Sequence, residues 1–367
     1  MKVLLLVPDL VVGGVTTIVG NLVKHLKVRN YHVVVVSIFD KPADILEPNV
    51  RTLGVKNILD LPQAIFKLRK ILLNENPDVV HSHTIFSHLL VSIIKKFFVN
   101  NIKLICTEHG TLSKSESQTH YMKIFKKINH VVDLMTFVSS ASLKSYEKYN
   151  IINKNLKSQV VYNGIDTKKF EENYEIRNFM RSQYSIDEET TVYGSFGRLA
   201  PEKNIELFLK ALVRLKGRVK FKFFLIGNGP ERDNILSTVK ELNLTNELIY
   251  IPFTDKIADY MNAIDILCLS STTEGLPTVI IEAMSCKKMV VATEVGGVVE
   301  ILPEGQRFLV KSGDEIDLSN QLIKVSLLGN NSQFGNLYHQ IAVEKFSVDV
   351  MLEQWIQVYK QSCFEHS

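Results

Sequence analysis

Glu274 and Glu282 bracket the segment Glu274-Gly275-Leu276-Pro277-Thr278-Val279-Ile280-Ile281-Glu282-Ala283, directly after the apolar run 266–271. Pro277 stands where a helix can begin, and Glu282 then falls about one helical turn beyond Thr278. One carboxylate can meet a ligand in the loop while the other lies deeper along the helix. Carboxylates accept paired hydrogen bonds from vicinal hydroxyls, the groups that a ribose or a hexose presents. Freed N–H groups near Thr278 and Val279 can meet phosphate oxygens. The plainer reading is a loop acid and a helix salt-bridge partner.

A second segment, Ser195-Phe196-Gly197-Arg198-Leu199-Ala200-Pro201-Glu202-Lys203-Asn204, also follows an apolar run. Gly197 lets the chain turn, and Arg198 and Lys203 can offer a guanidinium fork and a point charge to a diphosphate. Two cations suit a leaving group that gains negative charge; otherwise they are solvated surface groups. A third segment, Gly13-Gly14-Val15-Thr16-Thr17, reads as the opening of a helix, where backbone N–H groups favour an anion. It is neither the G-x-G-x-x-G fingerprint nor a P-loop, and alone it reads more readily as a tight strand-to-helix turn. His81 and His83 end one apolar run and His109 another. The first two are two apart and share a strand face, but no third metal ligand is indicated, so plain hydrogen bonding or the lining of a cleft is the simpler role.

These segments need strands to carry them. Short runs rich in Val, Ile and Leu recur at 2–7, 32–38, 78–83, 103–109, 134–139 and 159–163, with amphipathic helices starting near Thr16, Leu61, Phe86, Tyr121 and Ala141. A second series occupies 191–197, 222–227, 248–253, 266–271, 289–293 and 307–310. Strand and helix in alternation predict parallel sheets covered on both faces. The charged stretch 166–189 reads as a linker with a helix passing between domains. A last helix, around Val348 to Gln361, carries Met351, Leu352, Trp355, Ile356 and Tyr359 at helical spacing, and the tryptophan reads as packing.

The length of 367 residues favours two such domains. A net charge of +4 is too small to indicate nucleic acid. Its distribution is uneven: Met1 to Asp166 holds 21 basic and 12 acidic residues, which points to an anionic surface or ligand for the first half. Cys106, Cys268, Cys286 and Cys363 show neither zinc spacing nor a disulfide framework and fit a cytosolic protein. Val3 to Val7 is followed at once by Pro8 and Asp9, so it is too short for a signal peptide, and no run is long enough to span a bilayer.

Together EGLPTVIIEA, FGRLAPEKN, VYNGID at 161–166, the early GGV and the late Gly296-Gly297-Val298-Val299-Glu300 resemble the retaining glycosyltransferases of family 4. The resemblance runs over nearly the whole chain and in the family's order. It implies an α/β protein of GT-B fold, two Rossmann-like doubly wound domains facing across a cleft: an acceptor domain, 1–170, joined by the helix 348–367, and a donor domain, 171–347. It implies that Arg198 and Lys203 hold the donor diphosphate, that Glu282 binds the nucleotide ribose, and that Glu274 contacts the transferred sugar. The donor site would further include Gly275, Leu276, Pro277, Thr278 and Val279. Gly14 would give its N–H to the phosphate, and His109, in Thr107-Glu108-His109-Gly110, would lie beside the sugar. His83 and Thr111 are expected near the acceptor.

No D-x-D triplet occurs, so Arg198, Lys203 and helix N-termini are expected to neutralise the diphosphate without an obligatory divalent metal or other cofactor. The expected reaction moves a hexose or N-acetylhexosamine from a nucleotide sugar, preferably a UDP-sugar, to a polyprenyl-diphosphate-linked saccharide in bacterial surface polysaccharide assembly. A GDP-mannose-dependent mannosyltransferase and a UDP-N-acetylglucosamine 2-epimerase of the same fold are the alternatives. The interleaved apolar and basic residues of His120 to Ile128 suggest peripheral attachment to the inner face of the cytoplasmic membrane, as against a helix packed on its own domain.

Overall fold

The computed structural model describes residues 1–10, 13–39, 50–153, 155–305, 308–329 and 332–364. They form two compact units, Met1–Gly164 with the chain from Val348 onward, and Ile165–Ser347.

The first unit is a seven-stranded parallel sheet. Its strands are β1 (Lys2–Val7), β2 (His32–Phe39), β3 (Arg51–Val55), β4 (Val79–His83), β5 (Lys103–Glu108), β6 (Leu134–Phe137) and β7 (Ser158–Val160), in the order β3-β2-β1-β4-β5-β6-β7. Strand pleating sends alternate side chains to opposite faces. Leu4, Leu6, Val80, Leu104 and Cys106 enter one core, and Val3, Leu5, Val7, Val79 and Ile105 enter the other. Both faces are covered, which is why these strands read as unbroken apolar runs. The helices of this unit are α1 (Gly14–Val28), α2 (Leu61–Glu75), α3 (Thr84–Phe97), α4 (Lys114–Ser117), α5 (His120–Ile128) and α6 (Ser140–Lys148).

The second unit has six parallel strands, β8 (Thr191–Phe196), β9 (Phe221–Ile226), β10 (Leu248–Ile251), β11 (Ile266–Leu269), β12 (Met289–Thr293) and β13 (Phe308–Val310), ordered β10-β9-β8-β11-β12-β13. Its helices are α7 (Tyr174–Gln183), α8 (Ile205–Val213), α9 (Arg232–Glu241), α10 (Ile257–Ala263), α11 (Thr278–Ser285), α12 (Val298–Ile301), α13 (Glu315–Leu328) and α14 (Ser332–Phe346). The chain then returns to the first unit in α15 (Val348–Phe364). There Met351, Leu352, Trp355 and Tyr359 bury against the β1 and α1 side of the first sheet, and Trp355 stacks on Tyr359 at 5.7 Å.

Three local differences from the sequence reading have physical causes. Arg51–Val55 pairs with β2 although it carries an arginine, a threonine and a glycine, because it lies at the sheet edge, where one side needs no apolar neighbour. The stretch 166–189 is not a passing linker. Its helix α7 packs on α10 of the second unit and aims Arg177 and Arg181 at Asp265, at 2.6 Å and 3.2 Å. The stripe of α5, read as able to rest on a membrane, instead turns Met122, Phe125 and Ile128 inward beside α3, leaving Lys123, Ile124, Lys126 and Lys127 outward.

No helix among the described residues is long and apolar enough to cross a membrane. Arg307 and the other residues outside the described ranges include the first position of the expected run 307–310.

Candidate active site

In open parallel sheets, ligands gather beyond the carboxyl ends of the strands where the strand order reverses. In the second sheet that point lies between β8 and β11, and the loops leaving these two strands carry Arg198, Lys203 and Glu274. The loops are tied together by their backbones. Thr272 N–H donates to the Glu202 carbonyl at 2.8 Å, and the Ser270 hydroxyl donates to the Lys203 carbonyl at 3.0 Å. Across this seam Lys203 Nζ donates to Glu274 Oε1 at 2.6 Å, and the Ser271 hydroxyl donates to the same oxygen at 2.6 Å. Arg198 is exposed; its carbonyl accepts from Ala200 N–H at 3.1 Å, but its guanidinium has no hydrogen-bond or ion partner among the described residues. It lines, with Gly197, Lys203, Leu269 and Ser271, a small depression open to solvent. A free guanidinium beside a tethered ammonium is a ready site for a phosphate dianion.

Glycines allow these loops to close on one another. A Cβ on Gly227 would stand 1.8 Å from the Gly197 carbonyl oxygen, and Gly227 itself adopts a φ of 145°. The loop after β9 is therefore pressed against the loop after β8, and Leu199 N–H donates to the Asn228 carbonyl at 2.9 Å. Gly296 plays the same part on the other side: its Cβ would meet the Glu274 carbonyl oxygen at 1.8 Å, and Gly297 N–H donates to the Gly275 carbonyl at 3.0 Å. The run of two glycines at 296–297 braces the EGLP segment. The Gly227-Asn228-Gly229 loop and Ser271 were not singled out from sequence, although a G-x-G directly after an apolar run is a visible signal.

Gly275, Leu276 and Pro277 are buried and lead into α11, whose first turn holds half-buried Thr278 and Val279 and no acidic side chain. Its N-terminus is thus open to an anion. Glu282 lies one turn further on, half-buried. Burial pushes its carboxyl up to about 7, against the downward pull of the Lys169 charge and the Thr278 hydrogen bond.

In the first sheet the order reverses between β1 and β4. After β1, helix α1 starts at Gly14 with Gly13 as its N-cap and no side chain capping it. Among the described residues a Cβ on Gly14 would meet nothing within 4 Å, so none of them crowds this position. His83 ends β4 and His109 follows β5, and their rings meet with His83 Nδ1 3.0 Å from His109 Nε2. The loop beyond is pinned by α6: the Ser142 hydroxyl donates to the Gly110 carbonyl at 2.5 Å, and Leu112 N–H donates to Ser145 Oγ at 2.8 Å. Thr111 sits half-buried in that loop.

His81 is fully occupied. Its Nδ1 is 2.8 Å from the Tyr359 hydroxyl, its Nε2 is 2.6 Å from Thr107 Oγ1, and Thr107 Oγ1 is 2.6 Å from Thr136 Oγ1. Thr136 donates to the Cys106 carbonyl at 3.3 Å. The direction that satisfies every donor runs from Tyr359 O–H to His81 Nδ1, from His81 Nε2–H to Thr107, and from Thr107 to Thr136. With both nitrogens bonded, His81 has none left for a metal. Among the described residues no group of three or more His, Cys, Asp or Glu is arranged to hold one.

Burial holds His81 and His83 well below the ordinary imidazole range, and burial with the His88 charge brings His109 down to about 3. His88 behaves oppositely. Burial acts to lower it, but Cys106 and the Glu108 carboxylate 3.4 Å away raise it to about 10. No sequence signal marked this buried His88–Glu108 pair, because its members are twenty positions apart on a helix and a strand.

Two family models match the chain. Residues 12–169 match Glycosyltransferase Family 4 and residues 176–340 match Glycosyl transferases group 1. The chain belongs to this glycosyltransferase family. One relative, the N-acetyl-alpha-D-glucosaminyl L-malate synthase of Bacillus anthracis, is 25% identical over 80% of this chain and 77% of its own. Another, from Campylobacter jejuni, is named N-acetylgalactosamine-N,N'-diacetylbacillosaminyl-diphospho-undecaprenol 4-alpha-N-acetylgalactosaminyltransferase, and is 24% identical over 65% of this chain and 64% of its own. Among solved structures, HepE from Anabaena in complex with UDP superposes with a TM-score of 0.86 at 22% identity, over 98% of this chain and all of its own. The two parallel-sheet domains make this transferase a GT-B protein.

Proposed function

We propose that this transferase moves a hexose or N-acetylhexosamine from a UDP-sugar to a saccharide acceptor carried on a polyprenyl diphosphate, with retention of anomeric configuration, in the assembly of a bacterial surface polysaccharide. The observation that carries the donor reading is the seam between the loops after β8 and β11, where the Arg198 guanidinium, with no partner among the described residues, stands beside the Lys203–Glu274 pair. In this reading Arg198 and Lys203 hold the diphosphate, helped by Gly14 and by the α11 N-terminus with Gly275, Leu276, Pro277, Thr278 and Val279. Glu282 takes the ribose hydroxyls, Glu274 the hydroxyls of the transferred sugar, and His109 lies beside that sugar. The UDP bound by HepE supports uridine as the nucleoside. The diphospho-undecaprenol in the Campylobacter relative's name supports a lipid-linked acceptor, with Thr111 beside it.

The acceptor hydroxyl attacks the anomeric carbon on the face from which the nucleoside diphosphate departs. A carbon–oxygen bond to the acceptor forms, the bond to the phosphate oxygen breaks, and that phosphate takes the hydroxyl proton. Charge grows on the diphosphate as the bond breaks, so fixed cations act mainly in the transition state. No carboxylate is assigned as a nucleophile; Glu274 is already engaged with Lys203 and Ser271.

Incubation with UDP-sugars and a polyprenyl-diphosphate saccharide, followed by proton NMR of the product's anomeric signal, tests the reading. An axial donor giving an equatorial linkage overturns retention. A new nucleotide sugar formed without acceptor indicates an epimerase instead, and turnover with GDP-mannose alone overturns the uridine assignment.

Attachment to the inner face of the cytoplasmic membrane would then be mainly electrostatic, because Met122, Phe125 and Ile128 of α5 are buried and its outward side carries Lys123, Lys126 and Lys127 with a single apolar residue, Ile124. Co-flotation with anionic vesicles should disappear at high salt; no flotation even at low salt removes the attachment.

A further inference from the structure

We propose that His83 is a positioning residue for His109, donating its Nδ1–H to His109 Nε2 and so fixing His109 as the tautomer that carries its proton on Nδ1. This rests on the reading that His109 lies beside the transferred sugar, but its decisive readout does not.

The two nitrogens are 3.0 Å apart, with the rings inclined by 32°. Two neutral imidazoles can share that contact in either direction. If His109 donates, then His83 carries its proton on Nε2. His83 is only 1% exposed, and its Nε2 has no partner. That direction leaves an N–H donor stranded in the interior, among the costliest ways to bury a polar group and rarely seen. If His83 donates, its Nε2 is a bare lone pair, which is the lesser loss. His81, whose ring lies 4.1 Å from that of His83 at a tilt of 38°, offers no rescue, because both its nitrogens are bonded to Tyr359 and Thr107. Burial keeps His83 and His109 neutral, so no charged form opens a third arrangement.

The backbone reinforces the placement. Thr84, the residue after His83, has a φ of 66°, a region that β-branched residues seldom occupy. Such a conformation persists where its surroundings over-determine it, and it commonly accompanies a functional position. Here it turns the chain from β4 into α3 directly at His83. His83 is thus better suited to hold a neighbour than to touch the acceptor itself. With His109 Nε2 occupied, its Nδ1–H is the group left to donate to a ligand oxygen.

The test uses the full-length protein labelled with ring-nitrogen-15 histidine. In the long-range proton–nitrogen NMR spectrum, the signal that disappears in His109→Gln identifies His109. The expected pattern is Nδ1 protonated and Nε2 bare; an Nε2-protonated His109 overturns the proposal whatever the enzyme's activity. In His83→Leu the His109 signal should move toward mixed tautomers and kcat should fall roughly tenfold with little change in donor KM. In His83→Asn, whose side-chain amide can donate from the position of Nδ1, most of that kcat should return. Equal kcat in the Leu and Asn variants, or an unchanged His109 tautomer in His83→Leu, also overturns it. Absence of transferase activity in the wild type, with the expected tautomer present, would count against the proposed function and leave this assignment standing.

Discussion

Lys203 Nζ and Glu274 Oε1 lie 2.6 Å apart, each on a loop leaving one of two adjacent strands, so two groups read separately as donor ligands are already bound to each other. Glu274 is the more enclosed, with 9% of its side chain exposed against 25% for Lys203. Lys203→Met should therefore leave a carboxylate held by Ser271 alone, lowering stability by about 1–3 kcal/mol. Arg198→Ala, on an exposed side chain with no partner among the described residues, should change stability by less than about 0.5 kcal/mol. Both should reduce kcat by about 10²–10³-fold. Steady-state kinetics check the assignment: unchanged kcat with raised donor KM would mean that neither cation acts in the transition state.

If Glu282 takes the ribose hydroxyls as proposed, donor binding should depend on pH. Its folded carboxyl is raised from 4.5 to about 7, chiefly by burial. Between those values the native state holds a proton that the unfolded chain has lost, so stability falls as pH rises through this window and is level above it. Glu282→Gln should remove that slope and add on the order of 1–3 kcal/mol at pH 8. Ribose hydroxyls that donate to the carboxylate favour its charged form. UDP-glucose affinity should then increase as pH rises from about 6 to about 8, with proton release, and should become flat in Glu282→Gln. Calorimetry in buffers of different ionisation enthalpy measures both; proton uptake on binding would contradict the ribose assignment.

The histidines of the first unit pull stability in two directions. His81, His83 and His109 have folded values depressed below 6.5, mainly by burial, so their contribution is complete above 6.5 and is lost as pH falls. His88 is raised to about 10, so its contribution is complete below 6.5 and is lost as pH climbs toward 10. Chemical denaturation should show greatest stability of this unit near pH 6.5. In His88→Gln the alkaline decline attributable to this group should vanish while the acid decline stays; an unaltered alkaline limb would refute the His88–Glu108 account.

Gly227 and Gly14 should separate folding from binding. At Gly227 an added methyl would meet the Gly197 carbonyl oxygen at 1.8 Å, so Gly227→Ala should destabilise the second unit by about 3 kcal/mol or more. At Gly14 a methyl meets nothing within 4 Å among the described residues, so Gly14→Ala should leave the melting temperature within a few degrees. The bulkier Gly14→Val should also fold, but it should weaken binding of the donor diphosphate by shielding the α1 N-terminus. Equal loss of stability at both glycines would contradict the geometry.

Apolar runs and the turns between them made both sheets legible, because strands such as β1 and β12 are covered on both faces and leave no polar gaps. β3 was not legible, since Arg51–Val55 is short and an edge strand can tolerate its charge and glycine. The residues of the EGLP and GRLAPEK segments were legible because they are contiguous after a strand. Their mutual bond was not, because it depends on β8 and β11 becoming neighbours across seventy residues of chain. The buried histidines show the same limit. His83 and His109 could each be placed at a strand end, but only the register of β4 against β5 brings the two rings together. His88 and Tyr359 reach that cluster from helices whose periodicity marks them as core and says nothing of hydrogen bonding.

The return of α15 to the first unit has a consequence for synthesis. Strands β1 and β4 and helix α1 leave the ribosome early and the first stretch of their unit ends at Gly164, yet Met351, Leu352, Trp355 and Tyr359, which cover their apolar face, arrive only after the roughly 180 residues of the second unit, Ile165–Ser347. At the usual pace of translation that is on the order of 10–40 s. During this interval the nascent amino-terminal half lacks its closing helix and offers a sticky surface to chaperones or to other emerging chains. The second unit is made within this interval and ends at Ser347, so its whole chain has been added before α15 begins and it can mature first, reversing the order in which the two halves are made.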